Sequence, residues 1–324
     1  MIKTYKKKDG KLYEGEADFS TLTKKDIIWF DMISPDAAEE RNLEAILGID
    51  APTPKEMQEL EASSRLYAEG GAIYLTTTLV TQADSENPQT KSVTFIVKDK
   101  VLVTLRYSDP KAFTLFLNRA SRIPSSKIED GFQVFLGLME AVIDRLSDSL
   151  EMIGKNLDET SHIVFQNNGF DEEKNNDLQN ILKNIGRQGD LNGKIRESLL
   201  SLSRVFSYLL MVGSEHKAKH KEVLDTYAKD ISSLSEHATY ISNKVNLLLD
   251  ATLGLINIEQ NAIIKIFSVA AVVFLPPTLI ASIYGMNYKY MPELDWLFGY
   301  PFAIGLMIVS AILPFCYFKY RRWL

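Results

Sequence analysis

Apolar residues are concentrated at the C-terminal end of the chain. No charged residue occurs from Ile266 to Ile283 or from Trp296 to Phe318. A helix of about 20 apolar residues crosses the hydrocarbon core of a bilayer, and soluble domains rarely contain uncharged runs of this length. The sequence therefore predicts two transmembrane helices, at 261–284 and 297–318, rather than two buried core helices.

The first part of the chain, 1–126, has the pattern of an α/β domain. Short β-rich runs, bounded by turn residues, predict strands. These runs are Ile27–Met32, Ala72–Val80, Ser92–Val97 and Val101–Arg106, with a hairpin turn at 98–100. Between the strands, Asp36–Leu47 has a helical pattern, with Ser34 as the expected N-cap and Pro35 in the first turn.

Helical periodicity replaces the strand pattern after Lys127. Turn-forming residues near Asn167–Phe170 and at Gly213–Ser214 divide the region 127–260 into long helices. The last of these helices is expected to begin near Glu215 and to run unbroken into the first membrane span, because no proline precedes Pro276 and Pro277 in it. One helix therefore belongs to both the soluble and the membrane part.

This last helix has a heptad seam. Apolar residues recur at alternating steps of three and four, which is the spacing of helices that pack side by side. The seam consists of Leu224, Tyr227, Ile231, Leu234, Ala238, Ile241, Val245, Leu248, Thr252 and Leu255, with the threonine in the one polar place. We expect the seam to pack against neighbouring helices.

A second stripe on the same helix is narrow and mixed in polarity. It contains Asp250, Gly254, Asn257, Asn261, Ile264, Ser268, Ala271, Leu275, Thr278 and Ser282. Small residues allow close helix packing, whereas polar residues in a membrane helix mark a face turned to water. The aspartate and the two asparagines at the inner end favour a water-filled path. Because one helix cannot enclose a pore, this interpretation requires a cyclic homo-oligomer.

The charges that flank the two spans predict their orientation. Lys265 precedes the uncharged run of the first span, and the basic tail 319–324 follows the second span. The connecting loop contains one basic residue, Lys289, and two acidic residues, Glu293 and Asp295. Positive flanks remain in the cytoplasm. The basic N-terminal residues, 1–10, lack the apolar segment of a secretory signal. We therefore expect a multi-pass inner-membrane protein with both termini in the cytoplasm.

Composition excludes several other classes. The formal net charge is −6, which disfavours a nucleic-acid-binding protein, and the single cysteine, Cys316, permits neither a disulfide framework nor a cysteine metal cluster. There is no phosphate-binding loop and no nucleophile elbow, so the chain is not expected to be an enzyme. His216 and His220 share a helix face, but the lysines around them favour a solvated surface over a metal site.

The residues after the first span resemble the signature of the CorA family of magnesium transporters. The segment Tyr284-Gly285-Met286-Asn287 stands at the end of the span, and Met291-Pro292-Glu293-Leu294 and Trp296 follow in the loop 285–296. The resemblance is strongest from about Asn243 to the C-terminus. It implies a funnel-shaped homo-oligomer, a pentamer in this family, that conducts magnesium and also accepts cobalt or nickel.

The resemblance also implies roles along the pore. A ring of Asn287 amide oxygens, one from each subunit, suits a hydrated magnesium ion. The charges of Glu293 and Asp295 would attract cations to the outer mouth by electrostatic focusing, and the alternative for these two residues is an ordinary solvated loop. In similar proteins the positions of Asn261, Ile264, Leu275 and Thr278 line the pore. The chain departs from the family at Phe267, where an aliphatic residue is common, so Phe267 is a further candidate for a constriction.

Regulation in the family is attributed to intracellular magnesium bound between neighbouring cytoplasmic domains. Candidate ligands are Asp84 and Glu86, in the loop after a predicted strand, opposite Asp225 or Asp230 of the next subunit. Magnesium held there would neutralise carboxylates that otherwise repel one another, and its loss would open the pore.

Two alternatives to a magnesium channel remain open from the sequence. The same architecture serves transporters of zinc or other divalent ions, although Met286 and the intact loop favour magnesium. In the second alternative, the two spans only anchor a cytoplasmic sensor or scaffold in the membrane.

Overall fold

The structure is a computed structural model that describes residues 1–8, 11–16, 27–59, 61–122, 128–166, 174–212, 215–287, 289 and 291–321. The chain forms two compact units, Met1–Leu249 and Asp250–Leu324. The boundary between them falls within one long helix. The predicted border at 126/127 lies outside the described residues.

The first unit contains a seven-stranded mixed sheet. Its order is β2-β1-β3-β7-β6-β5-β4, in which β3 and β7 pair in parallel and the other described pairs are antiparallel. The strands are β1 (Ile2–Lys8), β2 (Lys11–Glu16), β3 (Ile27–Ile33), β4 (Leu66–Glu69), β5 (Ala72–Thr81), β6 (Gln89–Lys98) and β7 (Val101–Arg106). The four predicted strands and the turn at 98–100 are confirmed.

Seven α-helices are described, together with two short 3₁₀ turns at Glu56–Gln58 and Pro292–Asp295. The helices are α1 (Ala37–Leu47), α2 (Ala62–Arg65), α3 (Lys111–Arg122), α4 (Gly131–Gln166), α5 (Lys174–Met211), α6 (Glu215–Tyr284) and α7 (Gly299–Tyr320). The two long helices predicted before the last one are α4 and α5. Both predicted breaks lie outside the described residues.

Helix α1 begins at a different cap from the predicted one. Asp36, not Ser34, is the N-cap, because its carboxylate accepts hydrogen bonds from the backbone N–H groups of Ala38 and Glu39, both at 2.8 Å. The Glu39 carboxylate accepts in return from the Asp36 N–H, which completes a capping box. Ser34 has a positive φ of 42° and lies before the cap.

The sheet has an apolar core on each face. Trp29 and Phe95 point to the side covered by α3 and α4, whereas their neighbours Phe30 and Ile96 point to the side covered by α1. This alternation follows from the two-residue period of a strand. At the start of α4, a Cβ on Gly131 would lie 2.2 Å from the backbone nitrogen of Leu102, so this helix approaches the sheet closely only because position 131 is glycine.

The part of the α6 heptad seam that lies in the first unit packs within its own chain. Leu224, Ile231, Ala238 and Leu248 are almost completely inaccessible and belong to the same core as residues of α4 and α5. The buried Asn192 of α5 adds a polar contact, since its side-chain amide donates to the Ala238 carbonyl at 2.9 Å. Helices of the same subunit therefore occupy the part of the seam that lies in the first unit.

The sequence predicts an unbroken helix from Glu215 into the first span, but α6 is irregular near its start. His220 has non-helical backbone angles, φ −123° and ψ 17°, which mark a kink near the start of the helix. The His220 ring is half-buried and lies 5.4 Å from the ring of Phe132, so the prediction of a solvated surface is wrong for this histidine. The side chain of His216 lies outside the described residues.

The second unit contains the C-terminal part of α6 and helix α7. Within the described ranges, these two helices are long and apolar enough to cross a membrane, and nearly all of both apolar stretches is exposed. Helix α7 begins at Gly299, two residues later than predicted, because Trp296 ends the preceding 3₁₀ turn through its N–H bond to the Glu293 carbonyl.

Candidate ion pathway

The signature segment follows directly from the last turn of α6. The Gly285 N–H donates to the Ala281 carbonyl at 3.0 Å, and the Met286 N–H donates to Ile283 at 3.2 Å. The turn thus tightens as the helix ends, and the exposed Asn287 comes three residues after Tyr284. The C-terminal end of a helix carries partial negative charge, so the segment stands where a cation is favoured.

Gly285 ends α6 without a left-handed backbone conformation. The φ of Gly285 is not positive, in contrast to Gly48, Gly70 and Gly71, which have the left-handed conformation. Instead, a Cβ at position 285 would lie 3.3 Å from the Ala281 carbonyl oxygen. The glycine therefore relieves crowding at the end of α6.

The polar stripe of α6 lies on one exposed face of a continuous helix. Nine of its ten members are exposed, and Gly254 is half-buried. The exposed members are Asp250, Asn257, Asn261, Ile264, Ser268, Ala271, Leu275, Thr278 and Ser282. Phe267, beside the stripe, is 72% exposed. Nearly all of this part of α6 is exposed in a single chain, so every face of it, the stripe included, is free to contact other subunits.

Hydroxyl groups on the stripe present acceptor oxygens. Ser268 Oγ donates its proton to the Ile264 carbonyl at 2.7 Å, and Thr278 Oγ1 lies 2.9 and 2.8 Å from the carbonyls of Phe274 and Leu275. Because each hydroxyl has one proton, its lone pairs remain available as acceptors. Pro276 and Pro277 lack the N–H that a regular helix would donate to the carbonyls of Val272 and Val273.

The outer loop is a compact turn. Pro292–Asp295 form a 3₁₀ turn in which Glu293 and Asp295 are exposed. The Trp296 ring packs against Phe302, with 5.8 Å between the ring centroids. Tryptophan is typical of the boundary between a membrane and water. The turn thus holds two carboxylates at the end of the second span.

Asp84, a predicted regulatory ligand, already has two cationic partners in its own chain. Its carboxylate accepts a hydrogen bond from Lys111 at 2.9 Å and another from Arg145. These bonds, chiefly the one from Lys111, hold the pKa of Asp84 below its ordinary value. Glu86 is exposed and lies 3.6 Å from Arg187. No local sequence pattern indicates the two partners of Asp84, because both lie far from it along the chain.

The other two predicted ligands lie on α6, with Asp225 half-buried and Asp230 exposed. Burial raises the pKa of Asp144 on α4, and the charges of Glu140, Asp148 and Asp230 raise it further. Asp230 therefore lies in an acidic environment shared with α4. No group of three or more metal-binding side chains occurs within the described part of a single chain. The predicted site between two subunits stays a prediction.

Comparison with known proteins gives consistent results over the whole chain. The family model described as "CorA-like Mg2+ transporter protein" matches residues 24–321. The chain is 35% identical over 329 residues to a magnesium transport protein CorA of Yersinia pseudotuberculosis, with all of both chains covered. It is also 35% identical to the protein of the same name from Escherichia coli strain K12, with 92% of each chain covered.

A solved structure has the same fold. The complete structure of the CorA magnesium transporter from Methanocaldococcus jannaschii superposes with a TM-score of 0.74 at 20% identity, and it covers 100% of this chain and 99% of that one. The described architecture, an α/β domain with long helices and two helices capable of crossing a membrane, is therefore the fold of that structure.

Proposed function

The chain belongs to the CorA family of Mg²⁺ transporter proteins and is not an enzyme, and on this premise we propose that it is a homo-oligomeric channel for magnesium entry. The names of its relatives support magnesium as the cargo. We place it in the inner membrane with both termini in the cytoplasm, because Lys319 and Arg321 follow the second span.

The position of Asn287 is the observation that carries the proposal. The residue is exposed and follows directly from the C-terminal end of α6, so a ring of subunits brings amide oxygens and the negative ends of helix dipoles to one place. Magnesium gives up its water reluctantly. Neutral oxygens can bind the hydrated ion through its water molecules and still release it. Tyr284 and Met286 would shape the segment and not touch the ion.

Below this ring, the stripe of α6 forms the wall of the proposed path. Thr278 and Ser268 offer acceptor oxygens to the water around the ion. Leu275, Ile264 and Phe267 are the candidate constrictions, since apolar rings can close a pore by excluding water. Asn261, Asn257 and Asp250 receive the ion at the inner end.

Glu293 and Asp295 are proposed to concentrate cations at the outer mouth. The membrane potential then drives a doubly charged ion inward, with about 2.3 kcal/mol for each charge per 100 mV. Five subunits, and passage of cobalt or nickel, are proposed from the family resemblance. Closure by intracellular magnesium would use Asp84 and Glu86 of one subunit with Asp225 or Asp230 of its neighbour.

Ion flux into liposomes tests the proposal. Purified protein should admit magnesium without a proton gradient, and Asn287→Ala should abolish selective uptake while the oligomer remains intact. Asn180→Ala is the matched control, because Asn180 is an exposed asparagine on α5. Proton-dependent zinc uptake would instead indicate a zinc transporter. No uptake of any divalent ion would indicate a sensor or scaffold.

A further inference from the structure

The first residue of α7 is in unusually close contact with the outer loop. Gly299 is buried, and a Cβ built on it would lie 2.1 Å from the backbone carbonyl oxygen of Glu293 and 3.3 Å from the carbonyl carbon. Real Cβ atoms are essentially never found closer than 3.0 Å to another heavy atom. Position 299 therefore accepts only glycine while the turn stays where it is.

The contact is fixed from both sides. The Gly299 N–H donates to the Trp296 carbonyl at 2.9 Å, and the Trp296 N–H donates to the Glu293 carbonyl at 3.4 Å. Pro292 begins the turn and restricts its backbone. The Trp296 ring packs against Phe302, one turn further along α7. The carbonyl of Glu293 thus cannot retreat without moving the whole turn.

We propose that Gly299 is a positioning residue for ion capture, which seats the carboxylate of Glu293 against the start of α7. This inference rests on the proposed function of that carboxylate. The N-terminal end of a helix carries partial positive charge, which repels cations. A carboxylate held within the preceding turn offsets that charge at the mouth. A side chain at 299 displaces it by roughly 1 Å or more, because backbone atoms must move to clear the overlap.

Gly305 provides a matched control. It lies in the same helix, and an added Cβ there meets no atom within 4 Å. Magnesium uptake into liposomes is to be measured for Gly299→Ala, Gly305→Ala, Glu293→Gln and the double variant G299A/E293Q, with rates expressed per assembled oligomer. We expect G299A to raise the half-saturating magnesium concentration about two- to fivefold, as E293Q does, with the maximal rate unchanged.

The double variant separates positioning from mere stability. If Gly299 acts through the turn, G299A/E293Q should match E293Q alone, and G305A should match the wild type. The inference would be overturned if G299A had the half-saturating magnesium concentration of the wild type. It would also be overturned if the increase in G299A/E293Q equalled the product of the increases in the two single variants. If G299A does not assemble, Pro292→Gly decides, because it loosens the same turn without touching a membrane helix. The inference then requires that P292G raise the half-saturating magnesium concentration. It also requires that P292G/E293Q have the same half-saturating concentration as E293Q alone.

A labelling experiment distinguishes failure of the inference from failure of the proposed function. A protein with Cys316→Ser and Glu293→Cys has a single thiol, at position 293. The rate at which a cationic thiol reagent, added from outside, modifies that thiol is measured with and without G299A or G305A. Altered reactivity with G299A but not with G305A supports positioning even if E293Q leaves transport unchanged, in which case only the capture role of Glu293 fails. Equal reactivity in both variants refutes the positioning.

Discussion

The guanidinium Nη2 of Arg106 lies 2.8 Å from the Oδ2 atom of Asp31, and both side chains are buried where β3 and β7 pair in parallel. Thr104 donates to the same carboxylate at 2.7 Å, and the guanidinium carbon lies 4.7 Å from the centroid of the Phe113 ring. Asp31 thus has hydrogen bonds on both oxygens. The Asp31–Arg106 pair thus connects β3 with β7, and the contact of Arg106 with Phe113 connects both strands to α3.

Arg106→Met should destabilise the first unit strongly. The substitution leaves the Asp31 carboxylate buried without its counter-ion, and breaking one partner of such a pair costs about 3–5 kcal/mol. We expect a lower unfolding midpoint for the full chain in detergent, followed by near-ultraviolet circular dichroism. Lys194→Met is the control, because the Lys194–Asp190 pair lies on the surface and exposed pairs contribute at most about 1 kcal/mol. Equal midpoints for both variants would contradict this account.

Asp84 and Arg145 allow the regulatory prediction to be tested. If Asp84 binds intracellular magnesium, Arg145 competes with the ion for the same carboxylate. Arg145→Gln should then lower the internal magnesium concentration that closes the channel, by about two- to tenfold, whereas Asp84→Asn should raise it. Patch-clamp recording with defined magnesium on the cytoplasmic side measures both, with Lys194→Gln as the control. Shifts of the closing magnesium concentration in opposite directions support a regulatory site at Asp84. If D84N leaves that concentration unchanged, Asp84 is not a ligand of the regulatory ion.

The same carboxylate has a predictable pH dependence. The pKa of Asp84 is lower in the folded chain than its ordinary value of 3.8, so its ionised form favours folding. This contribution is complete above the pKa of the unfolded chain and is lost as the pH falls through the folded pKa. Half of the side chain is exposed, so solvent keeps the effect small. D84N should therefore make acid unfolding slightly less steep below about pH 4.

Periodicity predicted the parts of the fold that depend on burial. The seam of α6 and the central strands were predictable because residues such as Leu248 and Ile96 must face an apolar core, whereas the two spans were predictable from their length without a charged residue. The β1–β2 hairpin was missed because its lysines weaken the strand pattern. Contacts between distant residues were out of reach for a different reason. Neither the bond from Arg145 to Asp84 nor the burial of Gly299 follows from local sequence, because both depend on the folded arrangement.

Thr278 distinguishes a conducting stripe from one used only for packing. Thr278→Val keeps the shape of the side chain but removes both the acceptor oxygen and the hydrogen bonds to the Phe274 and Leu275 carbonyls. If the stripe lines the pore, T278V should reduce magnesium flux by about tenfold, while Thr278→Ser retains most of it.

The second span supplies the matched control for this experiment. Ser310 of α7 donates to the Met307 carbonyl at 2.8 Å, so Ser310→Ala removes a hydrogen bond of the same kind from the other helix. We expect S310A to conduct as the wild type does, because the proposed path runs along α6 alone. Loss of flux in S310A equal to that in T278V would mean that helix stability governs both results. Full flux in T278V would place the path on another face of α6.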